Sequence, residues 1–376
     1  MKDMKILQTG DLHLGKLQYG RFERTIDFAD VLDRIVDIAV KEEVDLVVLA
    51  GDIFDSYFPD AFSQKAFRLF VDKLKKKRYT SKEIEVIAIE GNHDFDKRNS
   101  GERLVTRIDS ITSQLTRPAD LINNPYRLGA KIIALDWMPS AKLKIELEKI
   151  EEKVDILILH QSCEGLAPEV STPEVTISQL QGKANLVLIG DIHIVKRIQC
   201  EQGTLISSAG STELCSSSEA VQKSVTIIEY DAETKESVIR TVGLKTRPVL
   251  SYEIKTEEDL KDVNDKLTHM IYSNPLIFIS FASSIKSLFL QKHKQWIESG
   301  LSLIIESQIQ EVSLSETFYV TKEDSKIELE KIIENNISDK DEQLAAISMW
   351  KNPQATKQIV AELKNQIKAK WKQSTV

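Results

Sequence analysis

The chain has 376 residues, enough for one large domain and one or two smaller ones. Its composition, 41% hydrophobic and 29% charged, is that of an ordinary soluble globular protein. A net charge of −8 excludes an overall basic field, so any grip on nucleic acid has to come from local basic patches.

Three cysteines (Cys163, Cys200, Cys215) show no paired spacing, which excludes a disulfide framework and fits a reducing cytoplasm. The N-terminus enters a strand almost at once, leaving no room for a signal peptide. No apolar run approaches the roughly 18 residues that span a bilayer. The expectation is a soluble intracellular protein, cytoplasmic or nucleoid-associated, with no membrane contact.

Residues 5–9 read as a strand that delivers Gly10-Asp11-Leu12-His13. Asp11 and His13 are two apart, so in extended geometry both point to one side and one metal could take both. Helical spacing of Phe22, Ile26, Ala29, Leu32, Ile35, Val36, Ala39 and Val40 predicts a helix over 22–42. A second strand, 46–50, leads into Gly51-Asp52-Ile53-Phe54-Asp55. A helix over 63–77 follows and ends in the basic run at 75–78, where cations suit the negative end of the dipole. The strand at 84–89 delivers Gly91-Asn92-His93-Asp94.

The strand–helix–strand repeat predicts an α/β core with parallel pairing, with ligands gathered at the carboxyl ends of the strands. A helix over 100–116 carries Arg103, Arg107 and Arg117. Next come a strand at 131–136, a helix at 140–152 and a strand at 155–159 that ends in His160. An irregular stretch precedes the strand at 185–190, which delivers Gly190-Asp191-Ile192-His193. Short β segments run from 195 to about 243, with a small-residue loop at 207–212. A domain is expected to end near Arg247-Pro248.

Residues 250–312 read as a small α+β unit, residues 311–325 as a polar stretch, and residues 326–372 as helical. Met349, Trp350 and Trp371 give the tail exposed apolar groups suited to docking.

A lone Gly-Asp after a strand is most often a turn, and a lone His there is usually a satisfied polar residue. Here the four histidines of the N-terminal part, His13, His93, His160 and His193, all fall at strand ends. All but His160 are accompanied by Asp or Asn. Carboxylate, amide and imidazole ligands suit Mn²⁺, Fe or Zn. An Asp can bridge two metals about 3.5–4 Å apart, a pair that activates water and clamps a phosphoryl centre. The reading is hydrolysis of a phosphate ester with no covalent enzyme intermediate.

Taken in order, Asp-Leu-His, Gly-Asp-Ile-Phe-Asp, Gly-Asn-His-Asp, a lone His and Gly-Asp-Ile-His resemble the five motifs of the calcineurin-like metallophosphoesterases. The nearest match in that superfamily is the SbcD type of DNA double-strand-break repair nuclease, partner of an SMC-like ATPase of the SbcC type. The resemblance covers residues 1–245, including the loop Ala209-Gly210-Ser211-Thr212-Glu213.

It implies an α/β fold: a metallophosphoesterase β-sandwich flanked by helices, plus a small α+β capping domain and a C-terminal helical tail. The implied boundaries are a nuclease domain at 1–247, a capping and DNA-binding domain at 248–312, a linker at 313–325 and an ATPase-binding tail at 326–376. The cofactors implied are two Mn²⁺ ions, with Mg²⁺ as the other candidate, and the activity is exonuclease and endonuclease on DNA ends. Asp11, His13 and His193 would hold one metal, Asn92, His160 and Asp191 the other, and Asp52 would bridge them. His93 would contact the scissile phosphate, and the Asp55 carboxylate would orient it and favour imidazolium. Asp191 departs from the family, which more often has His there. Asp remains a competent, harder ligand that favours Mn²⁺ or Mg²⁺.

Lys97, Arg98, Arg103 and Ser211 are the candidate DNA contacts, although a solvated helix end explains the basic run at 75–78 equally well. Cys163, three residues after His160, reads as an incidental thiol. The helices at 63–77 and 100–116 would form a homodimer interface, or simply cover the sheet. Two other readings are a phosphoesterase acting on small nucleotides or phosphoproteins, and a scaffold with a degraded metal site.

Overall fold

The computed structural model describes residues 4–76, 83–95, 107–166, 172–216, 219, 222–268, 275–299 and 301–309. The chain divides into a unit Met1–Ile309 and a unit Gln310–Val376. The second lies outside the described residues, as does the expected helical tail with Met349, Trp350 and Trp371.

The first half runs β1 (Met4–Thr9), α1 (Phe22–Lys41), β2 (Leu46–Ala50), α2 (Ala61–Lys75), β3 (Glu85–Ile89), α3 (Arg107–Ile111) and α4 (Pro118–Asn123). It continues with β4 (Tyr126–Arg127), β5 (Ala130–Ala134), α5 (Ser140–Glu148), β6 (Val154–His160), α6 (Ile177–Leu180) and β7 (Ala184–Gly190). Four strands follow: β8 (Val195–Gln199), β9 (Leu205–Ala209), β10 (Ser224–Tyr230) and β11 (Ser237–Gly243). Last come β12 (Val249–Ile254), α7 (Glu257–Thr268), β13 (Leu276–Ala282), α8 (Lys286–Glu298) and β14 (Ser302–Ile309).

Two sheets face each other. One is ordered β11-β10-β1-β2-β3 and the other β4-β5-β6-β7-β9-β8. β1, β2 and β3 are parallel, as are β5, β6, β7 and β9, so the carboxyl ends within each set point the same way. The period-2 alternation of strands separates two layers of core. Ile6, Val48, Ile87, Ile156, Ile158 and Leu188 meet between the sheets. Their neighbours Leu7, Val47, Leu49, Val86 and Ala88 pack outward against α1 and α2. On the far side Leu157, Leu159, Val187 and Ile189 pack with Leu143 and Leu147 of α5. Each such buried Val, Leu or Ile contributes about 1.5–3 kcal/mol by leaving water.

α2 begins two residues earlier than the apolar spacing predicts. The Asp60 carboxylate accepts from the N–H groups of Phe62 and Ser63 at 2.8 and 3.0 Å and caps the helix. Phe67, Phe70 and Leu74 of α2 and Ile108 of α3 are buried against the sheet, whereas Leu69 is 46% exposed.

The helix expected over 100–116 is corrected. α3 ends at Ile111, and residues 100–106 lie outside the described residues. Thr116 is extended: its N–H donates to Val86 O at 2.8 Å and its carbonyl accepts from Ala88 N–H at 3.1 Å. The open edge of β3 offers unpaired backbone groups, and Pro118 disfavours helix in the residue before it.

The three-stranded sheet β12-β13-β14 is wholly parallel and carries its own core of Ile254, Leu260, Ile279, Phe289 and Trp296. Arg21 Nη2 donates to Leu303 O at 2.7 Å, and the Tyr19 and Phe278 rings meet edge to face at 5.4 Å. Arg247, where the domain boundary was expected, is clamped to Asp27 of α1 by bonds of 2.6 and 2.8 Å.

Among the described residues Arg24 is the largest fully buried side chain. It pairs with Asp27 at 2.6 Å and Glu213 at 3.3 Å, donates to Leu214 O, and lies over the Phe28 ring. Arg24→Met would strand the buried Glu213 carboxylate, an expected loss of about 3–5 kcal/mol. Urea unfolding followed by circular dichroism measures it. A loss under about 1 kcal/mol, the range of an exposed ion pair, would refute the assignment.

Candidate metal centre

The ends of β1, β2, β6 and β7 come together where the two sheets meet. Asp11, His13, Asp52 and Asp191 all adopt left-handed backbone, with φ of 49, 43, 47 and 73°. One such residue is unremarkable for Asp, but four at one place are stored strain of the kind found at functional sites. Close approach also demands glycine. A Cβ on Gly51, which has φ +91°, would sit 2.3 Å from His160 Nδ1, and one on Gly91 would sit 2.1 Å from Asp52 Oδ1.

His160 is fully buried and donates from Nδ1 to Ala50 O at 2.7 Å. That bond turns Nε2 toward Asp52 Oδ1 at 3.3 Å and Asp191 Oδ1 at 3.8 Å. On the other side His13 Nε2 stands 3.3 Å from His193 Nε2 and 3.7 Å from Asp52 Oδ2. His193 Nε2 is 3.9 Å from Asp11 Oδ1, which accepts the Asp191 N–H at 3.1 Å. Asp52 Oδ1 accepts the N–H of His93 at 3.0 Å, which brings the loop after β3 to the same place. In that loop Asn92 Oδ1 is buried and has no hydrogen-bond partner.

Asp52 therefore stands between two groups of donors. Ligand atoms bonded to a common ion at about 2.0–2.2 Å lie roughly 3 Å apart, and the donors here, from 3.3 to 3.9 Å apart, are slightly wider than that. The arrangement of carboxylates, imidazoles and one orphaned amide oxygen fits divalent ions that accept mixed oxygen and nitrogen donors.

Burial works against a charge on His160, yet Asp52, Asp11 and Asp191 push its pKa up to about 10. Burial also pushes the Asp191 carboxyl up to about 7; His160 opposes that rise, and Asp11 and Asp52 reinforce it. Both raised values make the metal-free fold more stable at low pH. The Asp191 contribution is full below 3.8 and lost as pH rises through about 7. That of His160 is full below 6.5 and lost as pH rises through about 10. A cation must displace these protons, so its affinity is expected to rise with pH, by up to tenfold per unit for each proton released. Calorimetric Mn²⁺ titrations near pH 6 and near pH 8, in buffers of different ionisation enthalpy, measure affinity and proton release. Equal affinity with no proton release would contradict this account.

The structure brings Asp11, His13, Asp52, His160, Asp191 and His193 to one point, with Asn92 and His93 beside it. One expectation is corrected. His93 Nδ1 donates to the main-chain oxygen of Asp55 at 2.9 Å, not to its carboxylate. That carboxylate is held by Lys16 Nζ at 2.7 Å and lies 3.3 Å from His13 Nδ1, because Lys16 reaches it from the loop after β1. Ser211 is also corrected as a DNA contact. It is buried, and its hydroxyl is engaged internally with Glu213 O, Glu219 and Lys223. Lys97, Arg98 and Arg103 lie outside the described residues.

Other residues at the site were not anticipated. Asp94 is buried, and its carboxylate accepts from the N–H groups of Ile53, Phe54 and Gly91 at 3.0, 2.9 and 2.9 Å. It ties the loop after β2 to the loop after β3. Burial, with Asp52 close by, pushes its pKa up to about 7. Its place as the fourth residue of Gly-Asn-His-Asp was the available signal. Glu219 accepts from His193 Nδ1 at 2.7 Å, and Cys215 forms a close group with His13 and His193. Neither had a local signal, since both sit in a loop more than 20 residues after His193.

A family model described as calcineurin-like phosphoesterase matches residues 4–195, just over half of the chain. Among curated proteins, the DNA double-strand break repair protein Mre11 of Saccharolobus solfataricus is 26% identical over 276 residues, covering 69% of this chain and 68% of that protein. The protein of that name from Sulfurisphaera tokodaii is 26% identical over 317 residues, covering 80% and 79%. The one from Methanococcus maripaludis is 28% identical over 345 residues, covering 82% and 89%. Among solved structures, a dimetal phosphatase from Danio rerio aligns with a TM-score of 0.41 at 14% identity, over 64% of this chain and 96% of that one.

Proposed function

The chain belongs to the calcineurin-like phosphoesterase family, and from that premise we propose that it is a Mn²⁺-dependent DNA nuclease that processes double-strand ends. The observation that carries the reading is the convergence of three aspartates and three histidines from four strand ends on one point. The DNA substrate is supported by the relatives, which are named for repair of DNA double-strand breaks.

Asp11, His13 and His193 would hold one ion and Asn92, His160 and Asp191 the other, with Asp52 between them. Mg²⁺ is the rival to Mn²⁺. When bound, such a pair activates water and neutralises charge on the phosphoryl oxygens. The chain supplies the rest. His160 and His93 each commit Nδ1 to a backbone carbonyl, which fixes their rings and leaves Nε2 facing the site. His93, 40% exposed, is the group open to a substrate, and it stabilises the scissile phosphate by hydrogen bonding from Nε2 when protonated. The strained loops at Asp11, Asp52 and Asp191 hold the carboxylates in place before any substrate arrives.

Around this centre we assign residues 1–247 as the nuclease domain and 248–312 as a capping and DNA-binding domain. Residues 313–325 would be a linker and 326–376 a tail that docks on an SbcC-type SMC-like ATPase. The separate core of the small sheet supports the second assignment. A homodimer would use the exposed side of α2, where Leu69 projects. Among the described residues no helix is long and apolar enough to cross a membrane.

Digestion of end-labelled duplex DNA, with Mn²⁺, Mg²⁺ or EDTA, tests the proposal. Cleavage with Mn²⁺ that EDTA abolishes is the expected result. Hydrolysis of an aryl phosphodiester without any DNA cleavage, even with the ATPase supplied, would overturn the DNA assignment.

A further inference from the structure

We infer that Glu219 is the positioning residue of His193, and that the largely buried triad Glu219–Lys223–Ser211 sets metal affinity on the His13–His193 side of the centre. The inference rests on the reading that His193 is a metal ligand. His193 follows β7 in a loop, and its ring bonds from Nδ1 to Glu219 Oε1 at 2.7 Å, with the Cys215 thiol also close to it. A carboxylate only accepts, so Nδ1 carries a proton and Nε2 is the nitrogen left to bind a metal. Nε2 faces His13 Nε2 at 3.3 Å and Asp11 at 3.9 Å. Without the carboxylate, Nδ1 would lose the acceptor that keeps its proton there.

Glu219 is itself held firmly. Its other oxygen, Oε2, accepts from Lys223 Nζ at 2.5 Å and from the Cys215 N–H at 3.1 Å, and Ser211 Oγ lies 3.1 Å away. Lys223, four residues on, is only 3% exposed and also donates to Ser211 Oγ at 2.8 Å. A buried lysine with a neutralising partner is a structural commitment, because unpaired it would be strongly destabilising. The arrangement stiffens the carboxylate and offsets the cost of burying its charge. Partners that bond the second nitrogen of a metal-binding imidazole fix its tautomer and orientation, and their loss typically weakens metal binding 10–100-fold.

The test is a Mn²⁺ titration of the full chain, read by the electron paramagnetic resonance of free Mn²⁺. It compares wild type, Glu219→Gln, His193→Ala and the double variant. The expected result is affinity about 10–100-fold weaker in Glu219→Gln, and no further loss when that change is added to His193→Ala. A residue with a merely structural role would lower thermal stability and leave affinity unchanged, or would weaken binding equally in both backgrounds. Either outcome overturns the inference. Wild-type affinity in His193→Ala would instead overturn the underlying site assignment, so the two failures are distinguishable. If Glu219→Gln fails to fold because Lys223 is left unpaired, the charge-balanced pair Glu219→Gln/Lys223→Met takes its place and is read the same way.

Discussion

Replacing Asp52 with alanine is expected to abolish divalent-metal binding and metal-dependent phosphodiester hydrolysis together. Asp52 reaches both donor groups: Oδ1 lies 3.3 Å from His160, and Oδ2 lies 3.7 Å from His13 and 4.0 Å from His93. Burial would raise its pKa, yet the imidazoles of His160, His13 and His93 hold it well below the usual carboxylate range. It therefore stays anionic and available to a cation at any physiological pH. An ion pair at a phosphoryl centre stabilises the transition state by several kcal/mol, so its loss should slow hydrolysis by about a thousandfold or more. Mn²⁺ titration and turnover of an aryl phosphodiester measure the two effects separately. Stoichiometric Mn²⁺ binding in Asp52→Ala, with affinity within a few-fold of wild type, would refute the central role given to this carboxylate.

His93→Ala is expected to separate what Asp52→Ala removes together. The His93 ring bonds Asp55 O through Nδ1, its Nε2 stands 4.0 Å from Asp52 Oδ2, and it lies at the more exposed margin of the donors, grouped with His13 and Asp55. Removing it should leave Mn²⁺ affinity within a few-fold of wild type. The rate constant kcat should fall about 10²–10⁴-fold, the usual worth of a positioned proton donor, with little change in KM. A parallel loss of metal affinity would make His93 a ligand and require the chemistry to be reassigned. Asp55→Asn serves as a control. Because the orienting bond comes from the main chain, this change should leave the His93 ring in place, and its effect should run through His13 and Lys16, which the carboxylate touches, lowering Mn²⁺ affinity rather than kcat.

The order of strands and helices was readable because each carries its own period. β1, β2, β3, β6 and β7 are strands of five to seven residues with apolar centres that lead into Gly-Asp, Gly-Asn-His or His. A strand that enters a glycine-bearing polar turn announces both its end and the residues it presents, and these are local properties. α3 was misread for a reason outside the chain's own period. Leu104, Ile108 and Ile111 do recur at helical spacing, but the unpaired edge of β3 drew Thr116 into extended pairing instead.

What the sequence by itself determined is therefore which side chains stand at strand ends and which fold class presents them. The tertiary structure alone decided how those ends meet. It placed the ends of β1 and β2 from one sheet against those of β6 and β7 from the other, with glycine at 51 and 91 where the backbones nearly touch. It also decided that Asp55 orients His93 through its carbonyl, that Asp94 ties two loops together, and that Glu219 bonds His193 across 26 residues of chain. Backbone carbonyls are identical in every residue, and a carboxylate in a loop carries no period. Contacts of that kind leave no pattern in a sequence and exist only once the sheets have packed.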